Sequence, residues 1–277
     1  MNFFYLCNEL KKLTVESINN LLNTLFDEWK ESLIQEYGNQ QEVFFTRDGL
    51  MYNNNMSIEA SDLAWKNSDK RIMFILKDQP SVESDDDARL WIRTTVMDNV
   101  KGQKQKEANR TLKTKFLRII TRLFWGLYKS NKEWLCWFDE AKTEDIISLV
   151  NNVPFAFVES KKLQGKSKIN DKELSEHLSK FGAFLQREID ILNPNFIVCM
   201  GQPIYDFVLK FFKEKGCVTK VYRNLHVYEA EKENEKVTIL YSGHPSSHSS
   251  EQAIYDGAME WYRYYLDPNY AKLCNKQ

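Results

Sequence analysis

One carboxylate, one amide and one imidazole carry the chemistry in this sequence, each at or beside a short apolar run. Asp78 stands in Lys77-Asp78-Gln79-Pro80-Ser81, and Asn152 in Asn151-Asn152-Val153-Pro154. A basic loop with Lys161, Lys162, Lys166 and Lys168 follows the second of these. His244 opens His244-Pro245-Ser246-Ser247-His248-Ser249, and a further run ends at Met200-Gly201-Gln202. Such side chains move and hold protons; none has a metal-ligand spacing. The five cysteines (Cys7, Cys136, Cys199, Cys217, Cys274) are scattered and form no C-x-x-C pair. A zinc site, an iron–sulfur cluster and a disulfide framework are therefore poorly supported. Gly165-Lys166-Ser167 invites a phosphate-loop reading, but the earlier glycine it needs falls at Ser160, and that reading fails.

The elements that must position these residues follow from periodicity. Four short apolar runs, Arg71–Lys77, Leu149–Val158, Asn195–Met200 and Val237–Ser242, read as strands buried on both faces of a parallel sheet. Helical periods lie between them: one through Leu112, Phe116, Ile119, Leu123 and Leu127, another through Leu174, Leu178, Phe181, Leu185 and Ile189. A third runs from Pro203 to Gly216, and a last one begins near Ser249, where Ser249 and Gln252 have capping-box spacing. Alternation of this kind predicts a three-layer α/β/α domain with a mostly parallel, four-stranded central sheet over residues 67–277. Residues 1–66 read as an N-terminal helical cap, with an apolar stripe from Ile18 to Tyr37 closed by Gly38. In such sheets ligands bind beyond the carboxyl ends of the strands, which is where Asp78, Asn152 and His244 are expected to meet.

Composition narrows the class. The chain has 277 residues, 43% of them apolar and 28% charged, as expected of a folded protein with a well-buried core. No apolar run approaches the roughly 20 residues needed to cross a bilayer. The opening Phe3–Cys7 run is cut short by Glu9, so a signal peptide is not expected. Reduced thiols fit a cytoplasmic protein. The net charge of −1 excludes a strongly basic protein that coats nucleic acid, but leaves room for a local basic groove.

The four pieces in this order resemble the uracil-DNA glycosylase superfamily over about residues 70 to 266. Members carry a proline-centred loop after the first strand and an H-P-S motif after the last. His244-Pro245-Ser246 is the most specific match. The resemblance implies that Asp78 orients the attacking water and that His244 donates to the base oxygen where negative charge develops. It implies that Trp91 stacks on a flipped base and Asn152 reads its edge, beside Gln79, Pro80, Ser246 and His248. It implies a DNA substrate, no metal and no other cofactor; the chain is expected to act as a monomer. Lys161, Lys162, Lys166, Ser247 and Ser249 are the candidates for the nucleic-acid backbone. The sequence departs from the family where Lys77 replaces Gly at the head of the first motif, where Ser81 ends it, and where His248 stands at a frequent wedge-leucine position.

The chemistry agrees with those types. Breaking an N-glycosidic bond leaves a cationic sugar and an anionic base, so a donor belongs at the base and a carboxylate near the sugar and the water. A base must also leave the stack, which calls for an aromatic platform and hydrogen-bonding partners. Plainer readings stand beside these: Asp78 as a turn former, Trp91 as core, and Asn151 as a rival to Asn152. His177 reads as a hydrogen-bonded core residue. Eight basic residues against one acid between Lys101 and Arg122 form either a solvated helix face or one wall of a phosphate-tracking groove. Three functions fit: a DNA base-excision glycosylase acting on uracil or a related damaged base, a catalytically inactive nucleic-acid or nucleotide binding module of the same fold, and a hydrolase of free nucleosides or nucleotides.

Overall fold

The computed structural model describes residues 16–38, 42–53, 55–78, 84–90, 114–163, 170–222, 226–232, 235–267 and 270. A seven-stranded sheet forms the centre, in the order Gly49–Leu50 (β2), Ala156–Lys161 (β5), Ile72–Asp78 (β3), Phe196–Met200 (β6), Glu235–Ser242 (β9), Val227–Lys232 (β8) and Val218–Tyr222 (β7). Its middle is the expected parallel set: β3 (Ile72–Asp78), β5 (Ala156–Lys161), β6 (Phe196–Met200) and β9 (Glu235–Ser242). Three further strands enlarge it. β2 (Gly49–Leu50) pairs antiparallel with β5, β8 (Val227–Lys232) pairs antiparallel with β9, and β7 (Val218–Tyr222) with β8. The four-stranded expectation is therefore too small. The added strands lie outside the parallel centre, and Val227–Lys232 mixes apolar and charged residues, so no continuous apolar run marks it.

Strand side chains alternate between two cores. Met73, Ile75, Ile197, Cys199 and Ile239 face one, whereas Ile72, Phe74, Leu76, Val198, Met200 and Leu240 face the other. The first is covered by α1 (Ile18–Tyr37), α5 (Asp171–Leu192) and α6 (Gln202–Glu214). The second is covered by α3 (Lys115–Lys129), α4 (Thr143–Asn152) and α7 (Glu251–Leu266). These are the three layers. The segment before residue 67, which also holds β1 (Thr46–Arg47) and α2 (Ile58–Lys66), shares this core: Leu22, Phe26, Trp29 and Leu33 are buried in it, and β2 extends the sheet. A short strand β4 (Asp86–Asp87) pairs with β1.

The run Leu149–Val158 is not one strand. Leu149 and Val150 belong to α4, which ends at Asn152; Pro154 has no N–H to continue it, and β5 starts at Ala156. Periodicity cannot separate a buried helical turn from a strand in so short a run. The consequence is functional, because Asn152 precedes β5 and lies at the amino edge of the sheet.

A charged cluster ties the N-terminal segment to the domain. Lys162 is fully buried and ion-pairs with Asp48 and, at 2.8 Å, with Glu188. Asp48 Oδ2 also accepts the backbone N–H of Glu159 at 2.8 Å. Burial works against the Lys162 ammonium, but Asp48 and Glu188 raise its pKa above the ordinary lysine value. Burial pushes the Glu188 carboxyl well above the carboxylate range, against the pull of Lys162. Lys162 is thus a structural residue and cannot touch a nucleic-acid backbone.

Candidate active site at the carboxyl edge

Parallel pairing brings four strand ends to one edge. Asp78 at the end of β3 is in register with Lys161 at the end of β5, and Met200 at the end of β6 with Ser242 at the end of β9. His244 follows β9 by two residues. The backbone of Asp78 and the imidazole of His244 therefore belong to the same edge. From β3 the chain crosses to β5 on one side, and from β5 it returns by way of α5 to β6 on the other side of β3, so the direction of winding reverses here, as at the crevice where α/β sheets bind ligands.

His244 is held in one protonation state. Its Nδ1 accepts the Ser246 backbone N–H at 3.2 Å, and its backbone oxygen accepts the Ser247 N–H at 2.9 Å. Burial, helped by the Lys77 ammonium, pushes its pKa down to about 4. The ring is then neutral at pH 7, and because Nδ1 accepts, the proton sits on Nε2. That nitrogen is buried and has no hydrogen-bond partner among the described residues. The ring of Phe116 stands 6.5 Å away, centroid to centroid.

The loop after His244 is tied to α3. Lys115 Nζ donates to the backbone oxygens of Ser247 at 2.8 Å and Ser249 at 2.6 Å, and Arg118 grips Glu251 through Nε (2.9 Å) and Nη2 (2.6 Å). The Arg122 guanidinium lies 4.1 Å from the centre of the Phe138 ring. Lys115 thus braces the loop and Arg118 braces α7, while Arg122 packs on Phe138. The rest of that basic run, residues 101–113, lies outside the described residues. Helix α7 is capped by Ser250, which accepts the Ala253 N–H at 3.0 Å, one residue later than the Ser249 expected.

The other expected site residues divide. Ser246, His248 and Ser249 are exposed on the loop, whereas Ser247 Oγ is buried. Lys161 ends β5 at the same edge. Asn152 does not join them: its Nδ2 donates to Ser148 O at 2.7 Å and its Oδ1 accepts from Asn55 at 2.9 Å, at the opposite edge. His177 is buried against Phe181, as expected of core, but neither ring nitrogen has a hydrogen-bond partner among the described residues. Burial, followed by Lys161 and Lys180, pushes its pKa down to about 3. Gln79, Pro80, Trp91 and Lys166 lie outside the described residues, as does the side chain of Asp78.

Sequence reasoning missed two contributors. In the sequence Lys77 is only a departure from the family motif and Lys115 only one member of a basic run. Lys77 Nζ pairs with Asp171 at 2.7 Å, its backbone oxygen accepts from Ser160 Oγ at 2.8 Å, and its stem crosses Gly201. Gly201 has φ +130°, a conformation that favours glycine, and a Cβ there would stand 3.0 Å from Lys77 Cε. Among the described residues no group of three or more His, Cys, Asp or Glu is arranged to hold a metal ion.

The family model of the uracil-DNA glycosylase superfamily matches residues 67–260. The chain belongs to that superfamily. No curated protein matches it. Among solved structures, a domain of unknown function from Bordetella bronchiseptica is similar at 7% identity and a TM-score of 0.29. That match covers 74% of this chain and 45% of the other, so this chain spans less than half of that protein's length; a likeness of this size carries no argument. No helix among the described residues is long and apolar enough to cross a membrane.

Proposed function

We propose that this superfamily member is a DNA base-excision glycosylase that hydrolyses the N-glycosidic bond of uracil or a related damaged base. The observation that carries the reading is His244. A neutral imidazole with its acceptor nitrogen engaged and its N–H unpartnered is a pre-oriented donor, and such a donor gains most where an anion forms. As the C–N bond breaks, negative charge moves onto the base and His244 Nε2–H donates to it. Asp78, leaving β3 at the same edge, is the carboxylate for the cationic sugar and the attacking water. Lys161 and the loop Ser246–Ser249 form the rim that meets the DNA backbone.

The displaced Asn152 favours a second reading, in which the fold binds nucleic acid or a nucleotide without cleaving it. An assay on oligonucleotides bearing uracil, hypoxanthine, xanthine or mismatched thymine, with alkali to reveal abasic sites, separates the two. The glycosylase produces alkali-labile sites from at least one substrate. Folded protein that binds these strands and releases no base sinks the enzymatic reading.

A further inference from the structure

We propose that the N-terminal segment, which precedes the matched residues 67–260, completes this site. It fixes residues 84–90 at the carboxyl edge, and Asp85 and Arg89 are positioning residues for the chain that leaves Asp78. The kinetic part of this statement rests on the glycosylase reading; the anchoring does not.

The first observation is a path of backbone pairs along that edge. Asp78 at the end of β3 pairs with Lys161 at the end of β5. The next carbonyl, that of Lys162, accepts the Thr46 N–H at 3.1 Å, and the Phe45 carbonyl accepts the Asp86 N–H at 3.2 Å. β1 and β4 pair in parallel, Thr46 with Asp86 and Arg47 with Asp87. Residues 84–90 are therefore stitched to the strand ends by the N-terminal segment. Only residues 79–83 lie between this anchor and Asp78. Covalent connection alone couples the two: releasing residues 84–90 frees one end of the stretch that begins at Asp78.

The second is the set of side chains that lock the anchor. Asp85 Oδ1 accepts the Phe45 N–H at 2.9 Å, while Oδ2 pairs with Lys30 of α1. Arg89, whose side chain is 4% exposed, forks onto Asp87 through Nε (2.8 Å) and Nη2 (2.7 Å). The same guanidinium reaches α1: Nη1 donates to Asn19 Oδ1 at 2.9 Å and Nη2 to Asn23 Oδ1 at 3.1 Å. It also lies 5.8 Å from the centre of the Phe26 ring, and the Arg89 backbone oxygen accepts the Tyr52 N–H at 3.0 Å. Apart from Asp87, every partner named here precedes residue 53.

The third is a division between two faces of α1. Asn19, Asn23, Phe26 and Lys30 recur at helical spacing and meet residues 84–90 as one stripe. A different face meets α5, where Trp29 stacks on Phe184 at 5.4 Å, Glu28 pairs with Arg187, and Glu36 with Lys180. The second face docks the helix on the domain. The first directs two amide oxygens and an ammonium at a segment outside the central sheet, and fixing that segment is what those contacts do.

The test uses the full chain with Asp85→Ala, which removes the acceptor of both Phe45 and Lys30, and Arg89→Lys, which keeps the charge and loses the fork. Arg187→Ala breaks an exposed pair between α1 and α5 and is the control. Asp85→Ala, at a half-exposed position, serves should Arg89→Lys fail to fold. Hydrogen exchange is read on peptides spanning residues 78–90. Asp85→Ala and Arg89→Lys speed exchange there, whereas Arg187→Ala leaves it at the wild-type rate. In base release from oligonucleotides, both lower kcat about tenfold or more with KM little changed, because a small misplacement at a reacting group is costly. Lys30→Met, which removes one exposed contact of Asp85, has a smaller effect in the same direction. Unchanged exchange in both Asp85→Ala and Arg89→Lys, equal effects in Arg187→Ala, or an active enzyme whose kcat does not fall as exchange rises overturns the proposal. Wild type that releases no base, with exchange responding as described, overturns the glycosylase reading alone.

Discussion

Two charged clusters border the carboxyl end of the sheet, and they are built in opposite ways. Around Lys162 the charged groups are fully buried and pair with one another: the ammonium sits between Asp48 and Glu188, over the rings of Phe26 and Trp29 at 5.4 and 5.3 Å. Around Lys77 and His244 the groups are half-buried, the Asp171 partner of Lys77 faces solvent, and His244 Nε2 has no hydrogen-bond partner among the described residues. Two lysines of similar sequence context thus serve different ends. Desolvation sets the difference: a buried charge must be matched within the protein, whereas a half-buried one can leave part of its bonding capacity for a ligand. The fully buried pair serves the fold, and in the proposed function the half-buried group at His244 is the one that meets substrate.

The comparison breaks first at Lys162. Lys162→Met strands two carboxyls in the core and is expected to cost about 3–5 kcal/mol of stability. Denaturant unfolding measures it, and a loss below about 1 kcal/mol would show that the cluster is not closed. His244→Ala should do the reverse, leaving the denaturation midpoint nearly unchanged while slowing base release by a factor of about 100 or more. Single-turnover kinetics on the best oligonucleotide reads it; a large stability loss with little kinetic effect would move His244 into the structural class.

The pH dependence sharpens the contrast. His177 has its folded pKa depressed to about 3, from an ordinary value of 6.5. The unfolded chain binds that proton first, so the contribution is complete above pH 6.5 and is lost as pH falls toward 3. His177→Leu should therefore flatten the rise of stability with pH in that window, measured by denaturation at several pH values. A slope equal to that of the wild type would contradict the assignment. The smallest effect is expected at the loop's far end. Ser250→Ala removes the cap of α7 and should cost about 0.5–2 kcal/mol, with base release falling only as far as the His244 loop loosens.

Much of this was legible without coordinates. The 3.6-residue stripes of α1, α5 and α6 and the apolar runs of β3, β6 and β9 declared themselves, because a core-facing helix or a doubly covered strand has to show its period. His244 stood out for a similar reason: a strand end, Pro245 and a serine-rich helix start all lie within a few residues. Asn152 misled, since Leu149–Val158 joins a helix end to a strand start in one apolar stretch. Lys162 misled too, because a basic loop reads as solvent-facing and its partners are 114 residues earlier, at Asp48, and at Glu188 one helix later.

The sequence by itself determined the local order of strands and helices, the superfamily motifs and the placing of His244 just after a strand, because those depend on neighbours within a few positions along the chain. The tertiary structure alone decided which lysine is buried and which is open, that Asn152 lies at the opposite edge from His244, and that Gly201 makes room for Lys77. Those outcomes depend on how completely each charge is desolvated and on which distant groups share its surroundings. Neither is a property of any one stretch of sequence; both arise only when β3, β5, β6 and β9 are brought side by side.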